Sequence, residues 1–457
     1  MAGRISCKLL LYDESCSREL DRAESSLVDH LDIQGEKVSP FAVVSFGDED
    51  STRSAKLLMA RSILAASIHE LWGKGEDYPK LHENVKKDSS PWWPRYKSDT
   101  FRFDVDSYRG SRSSTLKRDI IESFAYMNFD GRIIMRQPDC TFTVFEDFEF
   151  KASEPHMLYL GRLIAESGRK VMNKYNLKKR RYIATTSMDA ELSLITANIA
   201  QAAPGKLAYD PFMGTGSFPL ACACFGALTF GSDLDGRSIR GKGTKTVASN
   251  FVQYDTSSLY LGGFAADITN TPLVTRRMLD VIVCDPPYGV REGLKVLGHV
   301  KERLRSEIFL ADGTSAYLQP DYVPPRRPYS FVRMLDDILD FAAARLVDNG
   351  RLCMWMPVAG SADSDAQNEA KPEEVYEYPV PQHPCLQLDS VCQQDFNKWS
   401  RRLITYRRRC EAEVDQNALA EYQERRAVLL QGGTSTLIGD ANDLNDFRKK
   451  YFQGFKE

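Results

Sequence analysis

The middle of the chain contains three short apolar runs, each of which ends in an aspartate: Leu207–Asp210, Leu228–Asp233 and Asp280–Asp285. Apolar residues recur with helical spacing in the segments that follow these runs: Ser217–Phe225, Ile239–Phe251 and Phe331–Leu346. Strands that alternate with helices are typical of a parallel sheet covered by helices on both faces. The pattern therefore predicts an α/β fold with a Rossmann-like, doubly wound sheet over residues 183–410.

The first 168 residues have a mixed pattern in which strands and helices do not alternate regularly. Strands are predicted at Phe41–Phe46 and Thr100–Tyr108, and helices at Ala55–Trp72 and Lys117–Met127. We therefore expect residues 1–168 to form a separate α+β region. A basic, polar linker at residues 169–182 is expected to join it to the Rossmann-like domain.

Two features are expected near the carboxyl end of the Rossmann-like domain. An acidic segment rich in small residues, 361–377, is predicted to be a disordered insertion. Gln387–Phe396 and Arg402–Arg407 are predicted to close the sheet as an antiparallel pair. Residues 411–457 are expected to contain a polar helix, Ala412–Leu430, followed by a tail.

The distribution of charge matters more here than its sum. The net charge of −3 and pI near 6.2 exclude a protein that is basic as a whole. Arg169–Arg181 nevertheless carries seven basic residues and no acidic one, and Arg401–Arg409 carries five arginines. Such runs are either solvated faces or surfaces that contact phosphates. The RNA contacts proposed from the first run are Lys178, Lys179, Arg180 and Arg181.

The ten cysteines and six histidines are scattered without the paired spacing of a zinc site. Reduced thiols in a cytosolic or nuclear protein are the favoured interpretation, and we expect no metal site. No apolar run approaches the roughly 18 residues that a membrane helix needs. We therefore expect a cytoplasmic protein without a membrane segment.

A glycine turn after the first apolar run predicts a cofactor site. The segment 209–217, Y-D-P-F-M-G-T-G-S, combines Asp210 at a strand end with Gly214 and Gly216 before a helix. The glycines allow a close approach of the backbone to a ligand. S-adenosylmethionine fits this pattern, because an acid suits its ammonium and a helix N-terminus suits its carboxylate. A plain strand–helix turn is the competing interpretation of a G-x-G alone.

Further residues are candidates for the same cofactor. Asp233 ends the second apolar run, where nucleotide-binding α/β folds hold ribose hydroxyls, although Asp235 could share that role or cap a helix. Asp267 follows a weak third strand and is a candidate for the adenine amine or a surface turn. Thr185, Thr186 and Ser187, with Glu191 after them, predict a helix N-cap whose hydroxyls could also bind the cofactor carboxylate.

The third apolar run ends in C-D-P-P-Y-G at 284–289, which is the most specific motif in the chain. An exocyclic amine of a nucleobase is a poor nucleophile because its lone pair is delocalised into the ring. The Asp285 carboxylate and the Pro286 carbonyl could each accept one N–H and favour a tetrahedral nitrogen. Tyr288 offers a face for base stacking. A tight turn without chemistry is the alternative.

These motifs resemble those of the catalytic subunits of eukaryotic tRNA guanosine-10 N2-methyltransferases. The resemblance rests on D-P-F-M-G-T-G-S, G-S-D-L-D-G-R-S-I-R-G-K-G, C-D-P-P-Y-G-V-R-E, A-T-T-S-M-D-A-E-L-S and Q-D-F-N-K-W-S-R-R-L, and covers about residues 182–410. It implies a class I methyltransferase domain behind a THUMP-like tRNA-binding region. It further implies direct methyl transfer from S-adenosylmethionine to guanosine N2, and a small zinc-binding activator as partner.

Three other readings stay open at the level of sequence. A DNA or RNA adenine-N6 methyltransferase uses the same Asp-Pro-Pro-Tyr chemistry. A non-catalytic tRNA-binding scaffold is also compatible with the fold, although intact acids at the strand ends argue against it. Pro384-Cys385 resembles the dipeptide of enzymes that work through a cysteine adduct, but it falls outside the strand-end loops. We therefore expect direct transfer without a covalent intermediate.

Overall fold

The structure is a computed structural model that describes residues 7–10, 30–33, 40–46, 50–289, 294–298, 309–319, 322, 325–359, 380–395 and 399–431. The predicted disordered insertion at 361–377 and the tail after residue 431 lie outside the described residues. The chain divides into two compact units, Met1–Asn173 and Lys174–Glu457. No helix in the described segments has the length and apolar character needed to cross a membrane.

The described residues of the N-terminal unit form two sheets. Its strands are β1 (Cys7–Leu10), β2 (His30–Ile33), β3 (Phe41–Ser45), β4 (Ser67–Gly75), β5 (Phe101–Tyr108), β6 (Cys140–Asp147) and β7 (Met157–Glu166). The first sheet has the antiparallel order β1-β3-β2, and the second has the order β4-β7-β6-β5, in which only β5 and β6 run parallel. The helices are α1 (Ser51–Arg61), α2 (Tyr78–Ser89) and α3 (Ser114–Glu122), and α4 (Val171–Tyr175) spans the boundary between the two units.

Most predicted elements of this unit are confirmed, but the helix predicted at Ala55–Trp72 is wrong in its second half. Helix α1 ends at Arg61, and β4 then pairs with β7. The register of β4 shifts between Ile68 and His69 and again between Leu71 and Gly73. Bulges of this kind disturb the two-residue alternation of a strand. The apolar spacing therefore looked helical in the sequence.

Among its described residues, the C-terminal unit contains one large sheet and a two-stranded antiparallel sheet. Its strands are β8 (Leu207–Asp210), β9 (Leu228–Asp233), β10 (Tyr260–Ala265), β11 (Leu279–Cys284), β12 (Lys295–Leu297), β13 (Arg326–Pro328), β14 (Leu346–Ala359), β15 (Leu386–Asp395) and β16 (Trp399–Arg408). Its helices are α5 (Ala190–Ile199), α6 (Ser217–Cys224), α7 (Gly236–Arg240), α8 (Val247–Gln253), α9 (Phe331–Arg345) and α10 (Gln416–Gln431).

The seven strands of the large sheet have the order β10-β9-β8-β11-β14-β16-β15. Neighbours are parallel except that β16 runs antiparallel to both β14 and β15. The antiparallel pair predicted at the end of the domain is thus confirmed. The chain order reverses between β8 and β11, and ligands of doubly wound sheets bind beyond the carboxyl ends of the strands at such a point.

Helix α9 shows how one apolar face secures the sheet. Ser330 caps it by accepting the Arg333 N–H at 3.4 Å. The side chains that it buries follow helical spacing, at Phe331, Leu335, Ile338, Leu339 and Ala342. They join the core on β11, β14 and β16, which anchors β11 directly before Asp285.

One predicted helix of this unit is interrupted. The segment Ile239–Phe251 forms parts of two helices, because α7 ends at Arg240 and α8 begins only after Thr246. Gly241 and Gly243 both have positive φ, and a Cβ at Gly241 would lie 1.9 Å from the Lys245 carbonyl oxygen. The chain can make this tight turn only with glycine.

Candidate active site

The acids predicted at the strand ends meet at one edge of the sheet. Asp210 ends β8, Asp233 ends β9, and Asp285 directly follows β11. Because these strands are parallel neighbours, their carboxyl ends lie side by side. Asp267 follows β10, the next strand outward. The sheet topology therefore brings four predicted site residues together.

The glycine turn between β8 and α6 leaves room for a ligand. Gly214 has φ +48° and Gly216 has φ +82°, which disfavours any other residue at either position. A Cβ built on Gly214 would meet nothing within 4 Å, whereas one on Gly216 would lie 2.8 Å from Val247 Cγ1. Gly214 therefore borders open space, and Gly216 allows the close packing of α6 against α8.

Asp233 is held in place by the glycine turn itself. Its carboxylate accepts the Gly214 N–H at 2.9 Å and the Asp235 N–H at 2.8 Å. Each oxygen keeps a lone pair for a ligand hydroxyl. Asp235 instead caps α7 through the Arg237 N–H and forms a salt bridge with the Arg237 guanidinium at 2.6 Å. Of the two acids left open by the sequence, this geometry favours Asp233 for the ribose.

The charges at this edge suit a cationic ligand. Burial raises the pKa of Asp210 well above its usual range, and the nearby Asp233 and Asp285 carboxylates raise it further. Asp210 is only 1 % exposed and accepts the Phe212 N–H at 2.9 Å. A cation placed among these carboxylates would relieve their repulsion. The ammonium and sulfonium of S-adenosylmethionine fit this donor set.

Asp267 has a structural task that the sequence did not reveal. Its carboxylate accepts the Thr269 N–H at 2.7 Å and the Leu297 N–H at 2.6 Å. The second bond anchors β12, which belongs to the segment after the Asp-Pro-Pro-Tyr motif. Asp267 is placed as predicted, but much of its hydrogen-bonding capacity serves the protein.

The Asp-Pro-Pro-Tyr turn aligns a carboxylate with a phenol. Tyr288 donates its hydroxyl to the Asp285 carboxylate at 2.5 Å. Asp285 is half-buried, and burial raises its pKa to about 6 although Tyr288 and Arg401 act in the opposite direction. Pro286 is buried beside it. Tyr288 thus positions Asp285, a role that the sequence did not reveal.

Arg401 is a site residue that sequence reasoning missed. It lies on β16, donates to Gln394 Oε1 at 2.8 Å, and holds its guanidinium 4.7 Å from the centre of the Trp355 ring. Its charge lowers the pKa of both Asp285 and Tyr288. The sequence contained two signals: its place in a basic run, which suggested phosphate contacts instead, and its place in the motif Q-D-F-N-K-W-S-R-R-L, which assigned no role to individual residues.

The structure corrects that interpretation of the run Arg401–Arg409. Arg402 and Arg408 are 1 % and 3 % exposed and are packed inside the unit. Arg408 donates to the Ala343 carbonyl at 2.9 Å. Because β16 lies between β14 and β15, alternate side chains of the strand point into the core. These two arginines are therefore unsuited to bind RNA.

The basic segment before the domain is also only partly exposed. Lys178, Lys179 and Arg181 are exposed, as a phosphate-binding surface requires. Arg180 is 6 % exposed and donates to Ser217 Oγ at 2.7 Å, so its assignment as an RNA contact is wrong.

The hydroxyl segment before α5 lies beside the glycine turn, but it does not cap the helix. Asp189 is the cap, since its carboxylate accepts the Glu191 N–H at 2.8 Å. The predicted cap at Thr185, Thr186 and Ser187 is therefore wrong. Ser187 Oγ instead lies 2.7 Å from Thr215 Oγ1, while Thr185 and Thr186 are exposed. Hydroxyls of this segment remain candidates for the cofactor.

The fold and this site define a class I, Rossmann-like methyltransferase that uses S-adenosylmethionine. Residues 25–169 match the Tmrp11 THUMP N-terminal domain family. The chain is 41 % identical to the tRNA (guanine(10)-N(2))-methyltransferase of Saccharomyces cerevisiae over 98 % of its own length and 99 % of that protein. Identity to the human tRNA (guanine(10)-N(2))-methyltransferase TRMT11 is 32 %, over 91 % of this chain and 87 % of that protein. Among solved structures, TrmN from Thermus thermophilus is 14 % identical with a TM-score of 0.41, covering 88 % of this chain and 99 % of that one. The chain belongs to the family of tRNA (guanine(10)-N2)-methyltransferases.

Proposed function

We propose that this chain transfers a methyl group from S-adenosylmethionine to the exocyclic N2 amine of a guanosine in tRNA, at position 10. The observation that carries the proposal is the Asp285 carboxylate, held by Tyr288 next to the acids that fit the cofactor. The family to which the chain belongs supports the base and the position.

The chemistry follows from the acceptors at the turn. The Asp285 carboxylate accepts one N–H of the amine, and the Pro286 carbonyl accepts the other. The nitrogen lone pair then turns away from the ring and would bond to the methyl carbon as the carbon–sulfur bond breaks, so that S-adenosylhomocysteine leaves. The Asp285 carboxylate would take up the N–H proton that the methylated amine loses. S-adenosylmethionine supplies a methyl group bonded to a positively charged sulfur. Tyr288 keeps the carboxylate oriented, and Asp233 holds the ribose so that cofactor and base meet in line.

Mass spectrometry of the nucleosides of tRNA after reaction tests this function. We expect N2-methylguanosine from an unmodified tRNA, and no product when inosine, which lacks the 2-amino group, replaces the target guanosine. Asp285→Ala provides the inactive control. Formation of N6-methyladenosine would support the adenine-directed alternative instead. Tight tRNA binding without any product would support the scaffold.

The N-terminal unit is proposed to hold the tRNA. The pocket contacts one base and cannot by itself select a tRNA, so remote contacts have to provide the selection. Arg132 and Arg136 are exposed on either side of the exposed apolar residues Ile133, Ile134 and Met135. Exposed arginines next to apolar side chains suit a surface that contacts RNA.

A small zinc-binding activator is proposed as the partner. Strand β10 is the outermost strand of the large sheet and exposes Leu261, which is 58 % accessible. An edge strand with an exposed apolar side chain is a template for pairing with another chain. We expect the chain to be poorly soluble or inactive without its partner. Leu261→Lys should reduce co-purification of the two, with Leu228→Lys on β9 as control, and unchanged complex formation would argue against β10.

The cytoplasm is the proposed compartment. The buried thiols of Cys222, Cys284 and Cys353 support a reducing environment. Fractionation of cells that express the tagged chain tests the proposal, and recovery from the nucleus alone would contradict it.

A further inference from the structure

Arg180 is a buried arginine whose charge the mechanism above does not use. It is 6 % exposed, and its Nη1 donates to Ser217 Oγ at 2.7 Å. Ser217 is the first residue of α6, the helix that begins at the glycine turn. The guanidinium therefore lies at the N-terminal end of this helix.

The protein does not neutralise this charge. Within the part of the chain that the structure describes, no carboxylate lies within ion-pair distance of Arg180. Asp189 acts on it only from farther away, and its carboxylate caps α5. The guanidinium interacts with the Tyr254 hydroxyl, but burial raises the pKa of this phenol, so it stays neutral and supplies no counter-charge. Arg180 Nε is buried and makes no well-aligned hydrogen bond to the described residues. Burial lowers the pKa of Arg180, as expected for a cation without a counter-charge.

The surroundings of Arg180 favour an anion for a second reason. The free N–H groups at the start of a helix attract negative charge. The N-cap residue of α6 is Gly216, which has no side chain to cap the helix. The hydroxyls of Ser187 and Thr215 lie at the same turn, 2.7 Å apart. A buried cation, a helix N-terminus and two hydroxyls together form a site for a small anion.

The cofactor has one group of this kind, the carboxylate of its methionine part. Its positively charged groups suit the acids at Asp210 and Asp285, so the carboxylate needs the opposite charge nearby. A phosphodiester of tRNA is flanked by ribose on both sides and cannot enter far enough to reach a side chain that is 6 % exposed, whereas the cofactor carboxylate is the end of a narrow chain. Resting on the proposed use of S-adenosylmethionine, we propose that Arg180 is the counter-charge that binds the carboxylate of the cofactor.

Calorimetry with two ligands tests the proposal without turnover or RNA. S-adenosylhomocysteine carries the carboxylate, and 5′-methylthioadenosine lacks the whole amino-acid part. With the full chain in complex with its partner, Arg180→Gln should weaken binding of S-adenosylhomocysteine by about 10- to 100-fold, as for loss of a bond to a charged group. Binding of 5′-methylthioadenosine should change by less than about twofold. Arg180→Lys should retain most of the affinity, and Lys174→Gln, at an exposed lysine nearby, should change neither ligand.

If Arg180→Gln weakens the binding of both ligands equally, Arg180 has a structural role. If its affinity for S-adenosylhomocysteine is unchanged, Arg180 does not contact the cofactor. Either result overturns the proposal. If the glutamine variant does not fold, the wild-type chain decides: it should bind decarboxylated S-adenosylhomocysteine at least about tenfold more weakly than the intact ligand, and equal affinity overturns the proposal. Failure to find N2-methylguanosine in tRNA would reject the proposed function and leave this measurement unaffected.

Discussion

Replacement of Asp285 by asparagine separates the function of this carboxylate from its effect on stability. Asparagine has nearly the same shape as aspartate and keeps an oxygen that can accept a hydrogen bond from the Tyr288 hydroxyl, but it carries no charge. Without the charge the amine loses its orienting acceptor, and we expect methylation to fall about 100-fold or more. The fold should become more stable, because a buried charge is removed.

The size and sign of the gain follow from the pKa. Burial raises the pKa of Asp285 from 3.8 to about 6. A shift of about two units corresponds to about 3 kcal/mol, which is an upper limit for a half-buried side chain. A raised pKa favours the folded state fully below pH 3.8, and this contribution is lost as the pH rises through about 6. The wild-type protein therefore bears the cost of the charge at neutral pH, and Asp285→Asn does not.

Thermal unfolding at a series of pH values measures this difference. Asp285→Asn should unfold at a higher temperature than the wild type at pH about 7.5, and the two curves should converge toward pH about 4. The matched control is Asp235→Asn, because Arg237 lowers the pKa of Asp235 to about 2. A lowered pKa stabilises the folded state above the unfolded pKa, so this variant should be less stable at neutral pH. A variant at 285 that is destabilised at pH about 7.5, or shifted equally at every pH, would refute the reasoning.

Three further predictions concern the cofactor, the RNA and the pH profile. Asp233→Ala should weaken binding of S-adenosylhomocysteine by about 2–3 kcal/mol in calorimetry, and unchanged affinity would show that Asp233 does not bind the ribose. Lys178→Glu combined with Lys179→Glu should weaken tRNA binding and flatten its dependence on salt without changing cofactor affinity; identical salt slopes would contradict a phosphate contact. Arg401→Gln should move the acid limb of the rate profile to higher pH, because Arg401 lowers the pKa of Asp285. An unmoved limb would show that Arg401 does not act on this carboxylate.

The strand-end acids could be predicted because their position depends on topology alone. Apolar runs that end in Asp210, Asp233 and Asp285 predicted parallel strands, and parallel neighbours in a doubly wound sheet end at the same edge. The glycine turn could also be predicted, because Gly214 and Gly216 have backbone conformations that are unfavourable for other residues. Local sequence thus contained both the fold class and the cofactor edge.

The buried arginines could not be predicted, because a basic residue is expected either to be exposed to solvent or to contact an anion. On β16 the residues Arg402, Ile404, Tyr406 and Arg408 share one buried face, and only the pairing of β16 with strands on both sides reveals it. The hydrogen bond from Tyr288 to Asp285 was equally hidden, since the spacing allows it without requiring it. Both depend on side-chain directions that are set by the packed sheet.

The buried charges on the two sides of the glycine turn connect cofactor binding with stability. Asp210 is buried among acids, and Arg180 is buried away from them, so each is costly in the free protein. The methionine part of the cofactor carries an ammonium and a carboxylate, which could compensate the charges of Asp210 and Arg180 at the same time. A ligand that binds only the folded state stabilises it by mass action. S-adenosylhomocysteine should therefore raise the unfolding temperature of this chain more than 5′-methylthioadenosine does at equal concentration, because only the former compensates both charges and so binds more tightly.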